Sequence, residues 1–221
     1  NEDHYSTAED LARLTIALIK DHPEQYKLYS QRSYEFNDIA QPNRNKLLWR
    51  DRSVDGVKTG YTAAAGYCLV ASAERNGVRL VSVVMGTDSD ESRMRESQKL
   101  LSYGFRNFDT QTLYEAGVNL RQQDVYYGQQ EKVALGVTDD VIVTFPRGYY
   151  DDIEVEMALA EYLEAPFPAG VAVGEINLTL DGEQIYSAPL VTLAEVGESN
   201  FFSRLGDSIY LFYASMFSDD G

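Results

Sequence analysis

Two apolar runs, residues 66–73 and 78–86, flank the dipeptide Asn76-Gly77, and no other feature of the 221-residue chain restricts its fold so strongly. Asn-Gly supplies the two consecutive left-handed residues of a type I′ turn, whose twist matches that of the strands it joins. An antiparallel hairpin is therefore predicted here. A third run, Val54-Asp55-Gly56-Val57-Lys58-Thr59-Gly60, precedes the pair, so three strands are expected in succession. The nearly unbroken apolar character of residues 80–85 predicts a strand covered on both faces.

Helices flank this sheet in the sequence. Ser6 and Glu9 have capping-box spacing, Leu11, Leu14, Leu18 and Ile19 make a helical stripe, and His22-Pro23 ends it. A second helix is expected to start near residues 88–91, where acidic side chains favour a first turn. Met94, Ser97, Leu101, Phe105 and Phe108 then share one face. Residues 24–50 read as irregular and polar up to the apolar patch Leu47-Leu48-Trp49. Residues 1–108 thus predict an α+β domain, an antiparallel sheet with helices.

After Asp109 the texture changes. Residues 141–145, 153–157 and 176–180 alternate with period two, an Asp181-Gly182 turn follows, and Ile185 and residues 190–193 continue the pattern. Such short segments between Gly- and Pro-marked turns predict a small all-β domain over 110–198. Phe202, Leu205, Ile209, Phe212, Tyr213 and Met216 then recur at helical spacing, so 199–221 is expected to form a C-terminal amphipathic helix.

Composition excludes several classes of function. With 35 acidic and 19 basic side chains the formal charge is −16, which opposes the basic face that nucleic-acid binding requires. No apolar run approaches the roughly 18 residues of a membrane span. One cysteine, Cys68, rules out an internal disulfide framework and a thiolate metal cluster, and it reads as a small core residue of its strand. His4 and His22 are the only histidines, so a multi-histidine metal site is not expected and neither a metal nor an organic cofactor is called for. The start at Asn1-Glu2-Asp3, with neither initiator methionine nor signal peptide, reads as a cut through a longer chain.

Lys58-Thr59-Gly60 is the strongest candidate site. An ammonium and a hydroxyl together suit a substrate carboxylate, one by charge and the other by a hydrogen bond. Gly60 removes the side chain where a ligand backbone must approach. This triplet accompanies Ser-x-x-Lys and a Ser-x-Asn-like motif in penicillin-recognising serine enzymes.

Its surroundings extend the likeness. Residues 4–12, Asn43-Arg44-Asn45 with Leu47-Leu48-Trp49, the run 54–62 and Ala65-Gly66-Tyr67 resemble the low-molecular-mass penicillin-binding proteins that act as D-alanyl-D-alanine carboxypeptidases. So do residues 79–86, Phe145-Pro146-Arg147-Gly148, Pro189-Leu190-Val191 and Asn200-Phe201-Phe202, in the same order. The resemblance implies that 1–108 is the latter part of a β-lactamase/transpeptidase-like catalytic domain. It implies a β-rich stalk over 110–198 and a membrane-anchoring helix over 199–221.

The mechanism it implies is serine-type removal of the terminal D-alanine from peptidoglycan stem pentapeptides through an acyl-enzyme, with β-lactam antibiotics as inhibitors. By this resemblance Lys58 and Thr59 hold the terminal carboxylate, the Tyr61 backbone N–H contributes to the oxyanion hole, and Arg44 approaches the carboxylate side. The expected partners are stem peptides ending in D-Ala-D-Ala, β-lactams and the cytoplasmic membrane surface, in the bacterial periplasm, with no nucleic acid. The nucleophilic serine and its lysine base lie in motifs that these 221 residues do not contain, so this stretch alone is expected to be inactive. The alternative is a catalytically inactive cell-wall binding or scaffold module of the same fold. A β-lactamase shares the triplet, but the ninety-odd residues after Asp109 speak against it.

Overall fold

The computed structural model describes residues 5–200, 204–209 and 211. The chain divides into two compact units, Asn1–Asp109 and Thr110–Gly221. The charge divides with it. Residues 1–109 hold 16 acidic and 15 basic side chains, whereas residues 110–221 hold 19 acidic and 4 basic ones.

In the first unit, helix α1 (Ala8–Asp21) is capped by Thr7, whose hydroxyl and backbone exchange hydrogen bonds with Asp10. The expected Ser6–Glu9 box is displaced by one residue, because the pair Thr7/Asp10 has the same chemistry and spacing. The expected stripe also turns. Leu14 is 66% exposed while Thr15 is buried, so the packed face passes through Leu11, Thr15, Leu18 and Ile19. Thr15 tolerates burial because its hydroxyl donates to the Leu11 carbonyl at 2.8 Å.

Residues 24–50 are more ordered than their composition suggests. After the short α2 (Pro23–Tyr26) and a 3-10 turn, strands β1 (Ser33–Phe36) and β2 (Ile39–Pro42) pair as a hairpin. Its turn, Asn37-Asp38, has φ of 52° and 58°. Both side chains tolerate the left-handed region, which makes the pair a substitute for Asn-Gly. The turn α3 (Leu47–Arg50) then buries Leu47 and Leu48.

The sheet follows as expected: β3 (Val54–Thr62), β4 (Gly66–Arg75) and β5 (Val78–Thr87) pair antiparallel in sequence order. Asn76 and Gly77 sit at φ 50° and 80° in the turn between the last two. Helix α4 (Asp90–Asn107), capped by Ser89, lays Met94, Ser97 and Leu101 on the sheet. Leu69, Ala71 and Ala73 of β4 meet them in one core with Leu47, Leu48 and Val54. Strand β5 packs against both α1 and α4.

The second unit is all-β. Strand β6 (Phe108–Tyr114) pairs with β9 (Val141–Pro146). A six-stranded sheet contains β7 (Arg121–Tyr126), β8 (Lys132–Gly136), β10 (Glu154–Leu159), β11 (Leu163–Glu164), β12 (Ala172–Leu180) and β13 (Glu183–Thr192), in the spatial order β10-β12-β13-β8-β7-β11. All its pairings are antiparallel except β11 with β7. Alternation decides the core: Val141, Val143 and Phe145 of β9 and Ile176, Leu178 and Leu180 of β12 are buried together. Strand β10 is an edge, and its Glu154 and Glu156 are exposed.

Residues 204–209 and 211 are helical, but most of the expected amphipathic segment lies outside the described residues. Where it is described, its start is held to the β unit. The Tyr127 N–H donates to Asp207 Oδ2 at 2.7 Å, and Arg204 pairs with Glu198 at 3.0 Å. Leu205 and Ile209 are half exposed. No described helix is long and apolar enough to cross a membrane.

Candidate active site

Lys58, Thr59, Gly60 and Tyr61 lie in β3, which is an edge of the three-stranded sheet. They are opposite Val70, Leu69, Cys68 and Tyr67 of β4. Successive strand residues point to opposite faces, and the burial follows that rule. Lys58 is exposed, Thr59 is only 9% exposed on the face of Leu69, and Gly60 is exposed again. A single ligand that meets both the Lys58 ammonium and the Thr59 hydroxyl must therefore lie along the open edge of β3.

In this structure Lys58 Nζ donates to the Thr59 carbonyl at 2.7 Å. A Cβ on Gly60 would meet nothing nearer than Cys68 Cβ at 4.0 Å, so the space beside the strand is open. Tyr61 packs against Tyr67 across the pair, with ring centroids 4.3 Å apart and planes tilted by 39°. Cys68 is partly exposed, not a core residue, with its Sγ directed at the Ala65 carbonyl at 3.4 Å. It occupies the face of β4 that the core does not use.

Arg44 precedes α3 in a loop fixed by its two asparagine neighbours. Asn43 donates to the Tyr29 and Gln31 carbonyls and accepts from the Asn45 N–H. Asn45, 1% exposed, donates Nδ2 to the Gly56 carbonyl at 2.8 Å and accepts from the Leu47 N–H. The loop is thus tied to β3 two residues before Lys58. Arg44 itself is exposed, and among the described residues no hydrogen bond joins it to Lys58–Tyr61.

One residue that sequence reasoning passed over supports the motif directly. Arg93 of α4 is buried, and its Nη1 donates to the carbonyls of Gly60 at 3.0 Å and Cys68 at 3.3 Å. Its Nη2 pairs with Asp90, which also pairs with Lys46. Burial works against ionisation of Asp90, but the hydrogen bonds from Lys46 and Arg93 outweigh it and hold the carboxyl below its ordinary value. The available signal was the spacing of Asp90 and Arg93, three residues apart in the first turn of α4 and immediately before the buried Met94. Among the described residues no three His, Cys, Asp or Glu side chains converge as a metal site would require.

Residues 1–89 match the family model described as D-alanyl-D-alanine carboxypeptidase, and residues 108–198 match that of the penicillin-binding protein 5 C-terminal domain. The chain is 43% identical over 219 residues to the D-alanyl-D-alanine carboxypeptidase DacA of Haemophilus influenzae, covering 98% of this chain and 56% of that protein. To DacA of Escherichia coli it is 42% identical over 218 residues, covering 98% and 54%. It superposes on the crystal structure of penicillin-binding protein 5 from Haemophilus influenzae with a TM-score of 0.83 and 44% identity, over 90% of this chain and 58% of that one. The chain spans about half the length of the curated relatives it matches.

Proposed function

Since the chain belongs to the family of low-molecular-mass penicillin-binding D-alanyl-D-alanine carboxypeptidases, we propose that it forms one wall of the active site of such a serine hydrolase. The protein of which it is part removes the terminal D-alanine from peptidoglycan stem peptides. A serine, outside these 221 residues, attacks the carbonyl between the two terminal D-alanines; the C–N bond breaks, D-alanine leaves, and water hydrolyses the acyl-enzyme. Lys58 supplies charge to the substrate's terminal carboxylate and Thr59 a hydrogen bond, with Arg44 approaching from its loop. The Tyr61 N–H donates to the developing oxyanion.

The observation that carries this reading is the exposed Lys58 beside Thr59 on an open strand edge, with no side chain at Gly60. A substrate backbone lying along that edge meets cation and hydroxyl at once. Residues 1–108 then belong to the catalytic domain, 110–198 form a stalk, and 199–221 lay the enzyme on the outer face of the cytoplasmic membrane in the periplasm. With 19 acidic and 4 basic side chains in residues 110–221, anionic lipid is repelled, so attachment rests on apolar burial at about 0.8 kcal/mol per CH₂.

The test is covalent labelling of the full-length protein by benzylpenicillin, then of Lys58→Ala. A stable adduct that the variant forms at least tenfold more slowly supports the reading. No adduct with the parent overturns it in favour of an inactive wall-binding module, and unchanged acylation and D-Ala release in the variant overturns the role given to Lys58. Vesicle co-sedimentation with and without 199–221 tests attachment, and equal sedimentation of the two forms refutes it.

A further inference from the structure

The face on which β3 presents Lys58 is not set by simple alternation. Val54 lies opposite Ala73, but Gly56 lies opposite Ser72, so the register shifts by one residue at Asp55. Continued without that shift, the pairing would set Lys58 opposite Leu69, on the face that packs against Met94 and Leu101. A one-residue slip carries every later side chain to the other face. With the bulge, Val57 and Thr59 are buried opposite Ala71 and Leu69, and Lys58 is exposed opposite Val70.

A three-sided clamp holds the bulged residue. The Tyr26 hydroxyl donates to Asp55 Oδ1 at 2.8 Å, and Arg79 Nη1 donates to Asp55 Oδ2 at 2.7 Å. The same Arg79 nitrogen reaches Ser72 Oγ at 2.8 Å, on the strand opposite the bulge, while Nη2 pairs with Glu74. Tyr26 is buried and its ring lies under the Arg79 guanidinium at 5.6 Å. Gly56 has no side chain because a Cβ there would come within 2.5 Å of the Tyr26 oxygen. Strand, bulge and helix α2 are thus joined through one carboxylate.

We infer that Asp55, Arg79 and Tyr26 are positioning residues that fix the register of β3 and so hold the Lys58 ammonium on the substrate side of the sheet. This rests on the reading of Lys58 and Thr59 as the carboxylate-binding pair. A residue that only stabilises the domain lowers all activity together. A residue that sets the register acts on recognition of the carboxylate, and that difference is measurable.

The experiment uses the full-length enzyme with benzylpenicillin and with its methyl ester, which lacks the carboxylate. The wild type is expected to be acylated much faster by the free acid. In Asp55→Ala the acid should react at least tenfold more slowly while the ester changes less than threefold, so the acid-to-ester ratio collapses. Tyr26→Phe and Arg79→Lys, each milder, should shift the ratio in the same direction and serve if Asp55→Ala does not fold. Folded variants that keep the wild-type ratio, whether or not both rates fall, overturn the inference. If Lys58→Ala also keeps the wild-type ratio, the carboxylate reading itself fails. If Lys58→Ala collapses the ratio and the clamp variants do not, only the clamp is refuted.

Discussion

Asn45→Ala should destabilise the first unit more than its small change in volume suggests. The side chain is 1% exposed and makes two hydrogen bonds, to the Gly56 carbonyl at 2.8 Å and from the Leu47 N–H at 3.2 Å. Both partners are buried, so deletion leaves a carbonyl and an amide without water to replace what is lost. At about 1–3 kcal/mol for each of the two orphaned groups, the expected loss is about 2–6 kcal/mol. Trp49, the chain's one tryptophan, lies in the adjoining turn α3 and is 46% exposed, so urea unfolding followed by its fluorescence reports this unit. Asn45→Asp sharpens the test. The introduced carboxyl can still accept from Leu47, but ionised it faces the Gly56 carbonyl with no proton to donate. Its folded pKa must rise above the unfolded value of about 3.9, so the penalty is small below that pH and grows as pH rises towards the folded pKa. The variant should therefore approach wild-type stability near pH 4 and fall well below it at pH 7. A loss under about 0.5 kcal/mol in Asn45→Ala, or no recovery of Asn45→Asp in acid, would refute the reasoning.

Two further outcomes follow from the same physics. Gly174→Ala should lower the melting temperature of the β unit by several degrees, because the added Cβ would overlap the Ala158 carbonyl across the β10–β12 pair; an unchanged melt would show that the strands yield. Asp51 accepts from Ser53 and pairs with Arg75 at 2.7 Å; burial opposes its ionisation, but these bonds prevail and hold its pKa below the ordinary value. Its contribution is therefore complete above about pH 4 and lost as pH falls through the lowered pKa, so Asp51→Asn should cost about 1–2 kcal/mol at pH 7 and progressively less in acid. A penalty independent of pH, measured by urea unfolding, would count against the ion pair as its source.

What could be read from the sequence divides by the range of the interaction. Asn76-Gly77 and Asp181-Gly182 announce their turns because the needed backbone region is written in the two residues themselves. The hairpin at Asn37-Asp38 was missed because its turn has no glycine and its strands expose Tyr34, Phe36 and Ile39, leaving no buried face to alternate. Strand β7 is hidden for a related reason: Arg121, Gln122, Gln123 and Asp124 give a polar run, although Gln123 is buried and donates to the Ala160 carbonyl at 3.0 Å. Lys58-Thr59-Gly60 was legible as chemistry. The supports beneath it were not, because Arg93 meets Gly60 at a separation of 33 residues and Arg79 meets Asp55 at 24. Register is a property of two strands, so the bulge at Asp55 has no signature in either strand alone.

The edge strand β10 places Glu154 and Glu156 along the one long unpaired border of the six-stranded sheet. A second molecule adding itself there in antiparallel fashion would bring carboxylates face to face across the new pair, and their repulsion would oppose each added rung. The protection is electrostatic, so it depends on ionisation. With glutamine at both positions the border would be a neutral, half-apolar template with Val155 exposed. The two charges thus keep folded chains from joining edge to edge, a task separate from any at the β3 edge.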